Sequence, residues 1–259
     1  MKPKLKVIKI GGNVIDNATS LSQFLSDYSK IEGAKILVHG GGKLATKLNQ
    51  TLGIKTKMVE GRRVTSSDDL DVVTMVYAGL INKKIVAQLQ NNHCNSLGLS
   101  GADANVLLAE KRPIEPINYG LVGDVKQINV PFIDSLLQQN ISPVFCAISH
   151  DGKGQLLNTN ADTVTAEIAI AMSDVYECEL VYCFEKNGVL ENVEDENSVI
   201  LNIDSKKYES LKAEKKIHDG MLPKMQNCFY ALKKNVSSVI IGSPEAIKAD
   251  NTLHTTLSL

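Results

Sequence analysis

The sequence has 259 residues, 43% of them hydrophobic and 22% charged, so it can bury one large α/β core or two modest ones. Its formal net charge at pH 7 is −1, which provides no basic field for nucleic acid or an anionic membrane surface. The cysteines lack CxxC spacing and the histidines lack HExxH spacing, which argues against a protein-bound zinc. The short apolar segment after Met1 cannot form a signal peptide core or a membrane span. We therefore expect a globular cytoplasmic protein with reduced cysteines.

Short β-branched runs alternate along the chain with segments of helical periodicity. The runs lie at 6–10, 35–39, 141–148, 179–184 and 237–241. Helices are predicted at about 20–30, 43–52, 67–92, 131–139, 161–172 and 222–234. This alternation is typical of a mainly parallel sheet with helices on both faces, so the sequence predicts an α/β fold. Turn signals at 119–120 and 151–154 predict hairpins attached to the main sheet, and a boundary between two lobes is expected near 173–178.

A pair of glycines follows the first predicted strand directly, in the sequence Lys9-Ile10-Gly11-Gly12-Asn13. Ligands of open α/β sheets collect at the carboxyl ends of the strands. A turn that leads into a helix also offers unpaired N–H groups that suit phosphate. A tight structural turn beside a surface lysine explains the same residues, so both interpretations stay open at this point.

The second predicted strand ends in VHGGGK, residues 38–43. Neither glycine stretch fits GxxxxGK[ST], which excludes a Walker-type loop here. Gly40, Gly42 and Ala45 do fit the relaxed dinucleotide fingerprint, and the acidic Glu60 follows further along. That fingerprint normally opens the first βαβ unit, whereas here a complete strand, turn and helix precede it. A dinucleotide site is therefore a minor alternative, beside a purely structural crossover.

Two polar stretches precede predicted helices. Arg63 comes just before the long helix, where its guanidinium group could bind a carboxylate or phosphate through two hydrogen bonds or simply be solvated. Asn160 is suited to cap the helix that follows it, and Asp162 in the first turn favours the helix dipole. This structural explanation accounts for Asn160 and Asp162 but not for Asn158.

A third glycine turn, at Gly220, leads into the predicted helix at 222–234 and places Lys224 near its beginning. A cation at a helix N-terminus opposes the dipole, which is a reason to suspect function. Lys9, Lys224 and an aspartate able to pair with both would form a charge clamp. Such a clamp suits phosphoryl transfer, which needs alignment and positive charge more than covalent chemistry. A carboxylate acceptor is already ionised at pH 7, so it requires no general base.

Several motifs occur together in an order that resembles the amino acid kinase family, most closely its members that phosphorylate N-acetyl-L-glutamate in arginine biosynthesis. The motifs are KIGGN (9–13), VHGGGK (38–43), GRRVT (61–65), GLSGADAN (98–105), LVGDV (121–125), LLNTNAD (156–162) and DGMLPK (219–224). The resemblance implies a three-layer α/β/α sandwich around a mainly parallel sheet. It also implies an N-terminal lobe, 1–176, for the acyl amino acid and dimerisation, and a C-terminal lobe, 177–259, for ATP.

The resemblance assigns a role to each motif. Lys9 and Lys224 would stabilise the transferring γ-phosphoryl group, and Asp162 would orient both lysines. Gly41 and Gly42 would donate their amides beside the acceptor, whose α-carboxylate Arg63 and Asn158 would hold. The nucleotide would lie against Gly11, Gly12, Glu185, Lys186, Asn187, Gly188, Lys216, Ile217, His218 and Gly220. Mg²⁺ would be held mainly by the ATP phosphates, without a metal site in the protein.

The sequence departs from the family pattern at two positions, and leaves other functions open. Glu185 stands where an aspartate is usual, and His254 begins the stretch that usually reads Gly-Thr-x-Ile. The first strand begins soon after Met1, so we expect a homodimer without arginine feedback. The alternatives are a kinase of the glutamate 5-kinase or aspartate kinase type and a non-catalytic nucleotide-sensing homologue. The acyl group, acetyl or succinyl, is also open.

Overall fold

The computed structural model of the protein describes residues 1–59, 61–192, 194–214, 216, 221–248 and 253–259. The strands are β1 (Lys4–Ile10), β2 (Ala34–His39), β3 (Lys57–Val59), β4 (Arg62–Val64), β5 (Ser96–Leu99), β6 (Leu107–Lys111), β7 (Gly123–Ile128), β8 (Ser142–Cys146), β9 (Ile148–His150), β10 (Leu156–Asn158), β11 (Glu177–Cys183), β12 (Asn202–Ile203), β13 (Ser238–Gly242) and β14 (His254–Leu257). The helices are α1 (Gly12–Asp16), α2 (Ala18–Ser29), α3 (Gly42–Thr51), α4 (Ser67–Thr74), a π-helical segment (Met75–Ile81), α5 (Asn82–Asn91), α6 (Val130–Gln138), α7 (Ala161–Met172), α8 (Ser205–Ala213) and α9 (Leu222–Lys233).

Within these residues, eight strands form one sheet in the order β12-β14-β13-β11-β1-β2-β8-β5. The six strands from β13 to β5 are parallel to their neighbours. β14 runs antiparallel to β13, and the short β12 is parallel to β14. All five predicted strands lie in this sheet, so the predicted mainly parallel α/β fold is confirmed.

Side chains that alternate along the strands supply two separate cores, one on each face of the sheet. On β1, Leu5 and Val7 belong to the core covered by α6, α7, α8 and α9. Ile8 and Ile10 belong to the core covered by α1 to α5. The result is the predicted three-layer α/β/α sandwich, with the sheet buried on both faces.

Side-chain caps define where two of the predicted helices begin. The Asn160 side chain accepts a hydrogen bond from the Thr163 amide at 3.1 Å and so caps α7, as the sequence predicts. Ser66 caps α4 through the Asp69 amide at 3.2 Å. The helix predicted at 67–92 is continuous, but its middle part is the π-helical segment, a widened form that the apolar pattern does not reveal.

The hairpin predictions are correct about the turns but wrong about the sheet to which they belong. β9 and β10 pair antiparallel around a turn in which Asp151 accepts hydrogen bonds from the amides of Lys153 and Gln155. The second turn lies in the connection between β6 and β7, where Gly120 forms a parallel bridge with Thr65. Both hairpins belong to a separate four-stranded sheet, β10-β9-β6-β7, because β6 pairs with β9.

Candidate functional site

Three chain turns meet at the carboxyl edge of the main sheet. β1 leads into Gly11 and Gly12, β2 leads into Gly40 to Gly42, and β11 leads into Phe184. The strand order places β1 between β11 and β2, so the connections diverge to opposite sides at this point. Ligands of open α/β sheets bind at such a switch point, which makes this edge the candidate site.

Lys9 and Asp162 form an ion pair at this edge. Lys9 is on the same face of β1 as Leu5 and Val7, the face that α7 and α9 cover. Its ammonium group therefore meets the first turn of α7, with 2.8 Å between Lys9 Nζ and Asp162 Oδ1. The Tyr182 hydroxyl donates to the Asp162 carbonyl oxygen at 3.0 Å and fixes the beginning of this helix against β11.

Lys224, in the first turn of α9, approaches the same point from the same face of the sheet. Its ammonium nitrogen lies 4.0 Å from the centre of the Phe184 ring, and that of Lys9 lies 5.6 Å from the same ring. Burial lowers the pKa of Lys224; the Asp162 carboxylate opposes this change and the Lys9 charge adds to it. The structure thus brings Lys9, Lys224 and Asp162 together, with Lys9 paired to the carboxylate and Lys224 near enough for its pKa to respond to it.

A cleft of about 1230 Å³ opens beside the second glycine turn. Gly41 must lack a side chain here, because a Cβ atom would lie 2.4 Å from Cδ1 of Ile81 and 2.9 Å from the Tyr77 ring. The π-helical segment that carries these two residues therefore packs directly on the turn. Gly42, Arg63 and Asn158 also line the cleft. The four residues predicted to bind the acceptor, which include Gly41, therefore all lie around this space.

The guanidinium group of Arg63 is 7% exposed and is already bonded within the protein. It donates from Nη1 to Asp69 at 3.0 Å, and from Nη2 to the Gly42 carbonyl at 3.0 Å and to Thr46 at 2.7 Å. Arg63 therefore ties the glycine turn to α4 before any ligand is considered. Asn158 donates to Thr65 Oγ1 at 3.0 Å and is held at the cleft wall.

The side chains that line the first cleft include seven cations, three of which pair with carboxylates outside the lining. These cations in the described lining are Lys9, Lys43, Lys47, Lys55, Arg62, Arg63 and Arg112. None of the described lining residues is Asp or Glu. A cleft with this lining favours an anionic ligand.

A second cleft, of about 510 Å³, lies on the β11 side of Lys9. The described residues that line it include Phe184, Glu185, Lys186, Gly188 and Lys224 together with the first glycine pair. Asn187 and Lys216, also predicted for the nucleotide, are not among these lining residues, and Lys216 instead pairs with Glu214 at 3.0 Å. Ile217, His218 and Gly220 lie outside the described residues, as does Glu60.

The C-terminal stretch that departs from the family pattern is packed under the second cleft. Residues 254–257 form β14, and His254 pairs with Gly242 on β13. The Thr255 hydroxyl accepts a hydrogen bond from the Val189 amide at 2.8 Å. A Cβ atom at Gly188 would lie 2.6 Å from that hydroxyl, so close packing against β14 requires the glycine.

The two clefts meet. Both are lined by Lys9, Gly11, Gly12, Gly42 and Lys43. Sequence analysis assigned no role to Lys43, although it lies within VHGGGK, nor to Asn13, Tyr77 or Phe184. Composition around the motifs gave no signal for Tyr77 and Phe184, because an aromatic residue in an apolar run is ordinary core.

Comparisons with known proteins agree on a family. Residues 4–243 match the sequence profile of the Amino acid kinase family. The chain is 52% identical over 245 residues to the acetylglutamate kinase of Cytophaga hutchinsonii, covering 94% of this chain and 93% of the relative. It is 49% identical over 247 residues to the acetylglutamate kinase of Phocaeicola vulgatus, covering 95% and 96%. The fold is also similar to that of the Giardia carbamate kinase, with a TM-score of 0.72, 15% identity, and 99% of each chain covered.

Proposed function

The chain belongs to the amino acid kinase family, and on that premise we propose that it phosphorylates the side-chain carboxylate of N-acetyl-L-glutamate with ATP, in arginine biosynthesis. The observation that carries this function is the meeting of two clefts at Lys9, Gly11, Gly12, Gly42 and Lys43. Direct transfer requires the donor and the acceptor to meet at one point with the reacting atoms aligned. Membership of this family gives no support to the alternative of a dinucleotide-binding site.

The reaction forms one bond and breaks one. An oxygen of the acceptor carboxylate attacks the γ-phosphorus, the bond from that phosphorus to the bridging oxygen breaks, and ADP leaves with the electron pair. The product is an acyl phosphate, and no proton has to be removed from the acceptor. This agrees with the shared residues of the two clefts, which are two lysines and three glycines and include no general base.

Lys9 and Lys224 stabilise the charge on the transferring group, with Asp162 orienting them. The pairing of Lys9 with Asp162 at 2.8 Å fixes the direction of one ammonium group. The Phe184 ring lies beside both ammonium groups, so the second cation is held without a second carboxylate. Fixed cations in a partly desolvated site stabilise developing charge better than water does.

The acceptor lies in the first cleft, where the amides of Gly41 and Gly42 face its side chain. Asn158 and Arg63 hold its α-carboxylate. Four N–H groups of Arg63 are bonded within the protein, to Asp69, Thr56, Gly42 and Thr46, so its guanidinium group is fixed at the cleft before the acceptor binds. The cationic lining adds a general attraction for the dianionic acceptor.

The nucleotide lies in the second cleft, with its phosphates toward Gly11 and Gly12. The described residues contain no group of three or more His, Cys, Asp or Glu side chains that could hold a metal ion. Mg²⁺ would therefore bind to the phosphate oxygens of ATP, where it would neutralise part of their charge. Glu185 and Lys186 line the outer part of this cleft and are the residues proposed to contact the nucleotide there.

The lining of the two clefts supports the proposed division of the chain into two lobes. The described lining of the first cleft comes entirely from the proposed N-terminal lobe, 1–176. The second cleft combines the first glycine turn with residues of the proposed C-terminal lobe, 177–259. We also propose a homodimer and a cytoplasmic location; the five cysteines are free thiols, as expected in a reducing compartment. No helix in the described ranges has the length and apolar character needed to cross a bilayer.

An assay with three acceptors tests this function. ADP release and acyl phosphate, trapped as the hydroxamate, are measured with N-acetyl-L-glutamate, N-succinyl-L-glutamate and free L-glutamate. We expect turnover of the N-acetyl substrate and little turnover of the free amino acid, whose ammonium group would enter a cationic cleft. The Lys9→Met variant is the matched control for contaminating kinases. Absence of acyl phosphate with all three acceptors would exclude the function.

A further inference from the structure

Lys43 lies at the junction of the two clefts and has no role in the mechanism described so far. It is the second residue of α3 and lines both clefts. Its side chain passes over the first glycine turn: a Cβ atom built on Gly12 would lie 3.7 Å from its Cδ atom. Its ammonium group donates a hydrogen bond to the Asn13 side-chain oxygen. Lys9 and Lys43 therefore flank the two adjacent glycines, because a Cβ atom on Gly11 would lie 3.7 Å from Lys9 Nζ.

The side chain of Lys43 is exposed, and its ammonium group has a neutral hydrogen-bond partner. Asn13 is neutral, and no carboxylate of the described residues forms an ion pair with Lys43, although Asp16 also lies beside Gly12. The first turn of a helix is an unfavourable place for a cation. Lys9, in contrast, shares its charge with Asp162. Lys43 is thus an exposed cation with no ion-pair partner among the described residues, at the point where the two clefts meet.

We propose that Lys43 is a further catalytic residue of the phosphoryl transfer, whose ammonium group contacts the transferring phosphoryl group from the acceptor side. This inference rests on the proposed function. As the bond forms between the acceptor oxygen and the γ-phosphorus and the bond to the ADP oxygen breaks, three equatorial oxygens carry the charge. Lys9 and Lys224 approach these oxygens from the α7 and α9 side of the sheet. Lys43 approaches from α3, on the opposite side, and offsets the repulsion between the two anionic substrates.

The alternative is that Lys43 only ties α3 to α1 through Asn13. The two roles predict different behaviour of Asn13→Ala, which removes the tether and keeps the charge. If Lys43 acts on the phosphoryl group, Asn13→Ala lowers kcat far less than Lys43→Met does. If the tether is the whole role, the two variants have equal effects.

The test compares Lys43→Met, Lys43→Arg and Asn13→Ala with the wild type, using N-acetyl-L-glutamate and ATP. Lys43→Met is expected to lower kcat roughly 30- to 300-fold with little change in either KM, as for loss of one contact made mainly in the transition state. Lys43→Arg should keep most of the wild-type activity, because arginine keeps the positive charge that methionine removes. The exposed Lys206→Met on α8, which lines neither cleft, controls for loss of a surface charge.

A binding measurement provides a second readout. The dissociation constant of ADP with aluminium fluoride and N-acetyl-L-glutamate is measured by calorimetry, and that of ADP alone serves as reference. Lys43→Met should weaken binding of ADP with aluminium fluoride and N-acetyl-L-glutamate by about the factor lost in kcat. It should leave the dissociation constant of ADP alone unchanged. Unchanged kcat, a change confined to KM, or equal effects of Asn13→Ala and Lys43→Met in an active enzyme would overturn the role of Lys43 alone. An inactive wild type would overturn the proposed function with it.

Discussion

At the scale of single residues, the site combines a lysine paired with a carboxylate, Lys9, and a partly buried lysine, Lys224. Lys224 has a lowered pKa because its ammonium group is partly buried and lies near Lys9, with Asp162 as the carboxylate that offsets these effects. Sequence analysis identified Lys224 from its position against a helix dipole and Lys9 from its position at the end of a strand. The contact of the Phe184 ring with both lysines could not be predicted from the sequence, because only the fold brings the end of β11 beside Lys9 and Lys224.

The lowered pKa of Lys224 predicts a particular pH dependence. The charged form is the active one, so kcat/KM, which reports the pKa values of the free enzyme, should fall as the pH rises through the pKa of Lys224, which lies below the ordinary lysine value of about 10.4. In Lys224→Arg, whose guanidinium group stays protonated, this alkaline decline should move to higher pH. Lys224→Ala should lower kcat/KM roughly 100- to 1000-fold at pH values below this pKa, and the deficit should shrink above it, where the wild-type lysine is also uncharged. An alkaline decline that is the same in the wild type and Lys224→Arg would exclude Lys224 as its origin.

At the scale of elements, the second glycine turn is shaped by the π-helical segment that packs on it. Gly41 packs on Ile81 and Tyr77, both from the π-helical segment, and Arg63 bonds to the Gly42 carbonyl from the other side. From the resemblance, the motif VHGGGK predicted that Gly41 and Gly42 donate their amides beside the acceptor. The structure adds that the protein itself requires one of the three glycines for packing.

Substitution of Gly41 tests this packing. Gly41→Ala should destabilise the protein by about 1–3 kcal/mol, because its Cβ atom forces Ile81 and Tyr77 out of a filled core. Adding Ile81→Val removes the Cδ1 atom at 2.4 Å and should recover part of that loss. Gly79→Ala, in the same π-helical segment but with open space around its Cβ position, is the matched control. Chemical denaturation gives the free energy of unfolding of Gly41→Ala, of the double variant and of Gly79→Ala. Equal stability of Gly41→Ala and Gly79→Ala would contradict the packing argument.

The helices and strands that sequence analysis predicted share strong periodicity or clear caps. α7 is an example, with Asn160 as its cap and the predicted bounds reproduced. β5 and β14 escaped prediction because they are short strands at or near the sheet edges, stabilised by pairing with β8 and β13 rather than by their own pattern. The internal bonding of Arg63 was equally hidden, since Asp69 and Thr46 come from different helices.

At the scale of the whole molecule, one continuous sheet places two clefts on either side of Lys9. β1 pairs with β2 and with β11, so the elements that bring the two glycine turns and Phe184 to the site share a single hydrogen-bonded frame. The cleft on the β2 side is cationic and the cleft on the β11 side contains Phe184 and Lys224.

The central claim is that the acceptor and the nucleotide occupy these two clefts and meet at their shared residues. A crystal structure with a non-hydrolysable ATP analogue, Mg²⁺ and N-acetyl-L-glutamate tests it most directly. We predict the γ-phosphate beside Lys9, Lys43 and Lys224, and the acceptor side-chain carboxylate beside Gly42, in line for attack. A nucleotide bound in the cationic cleft beside Arg63, or an acceptor carboxylate distant from Lys9, would contradict it.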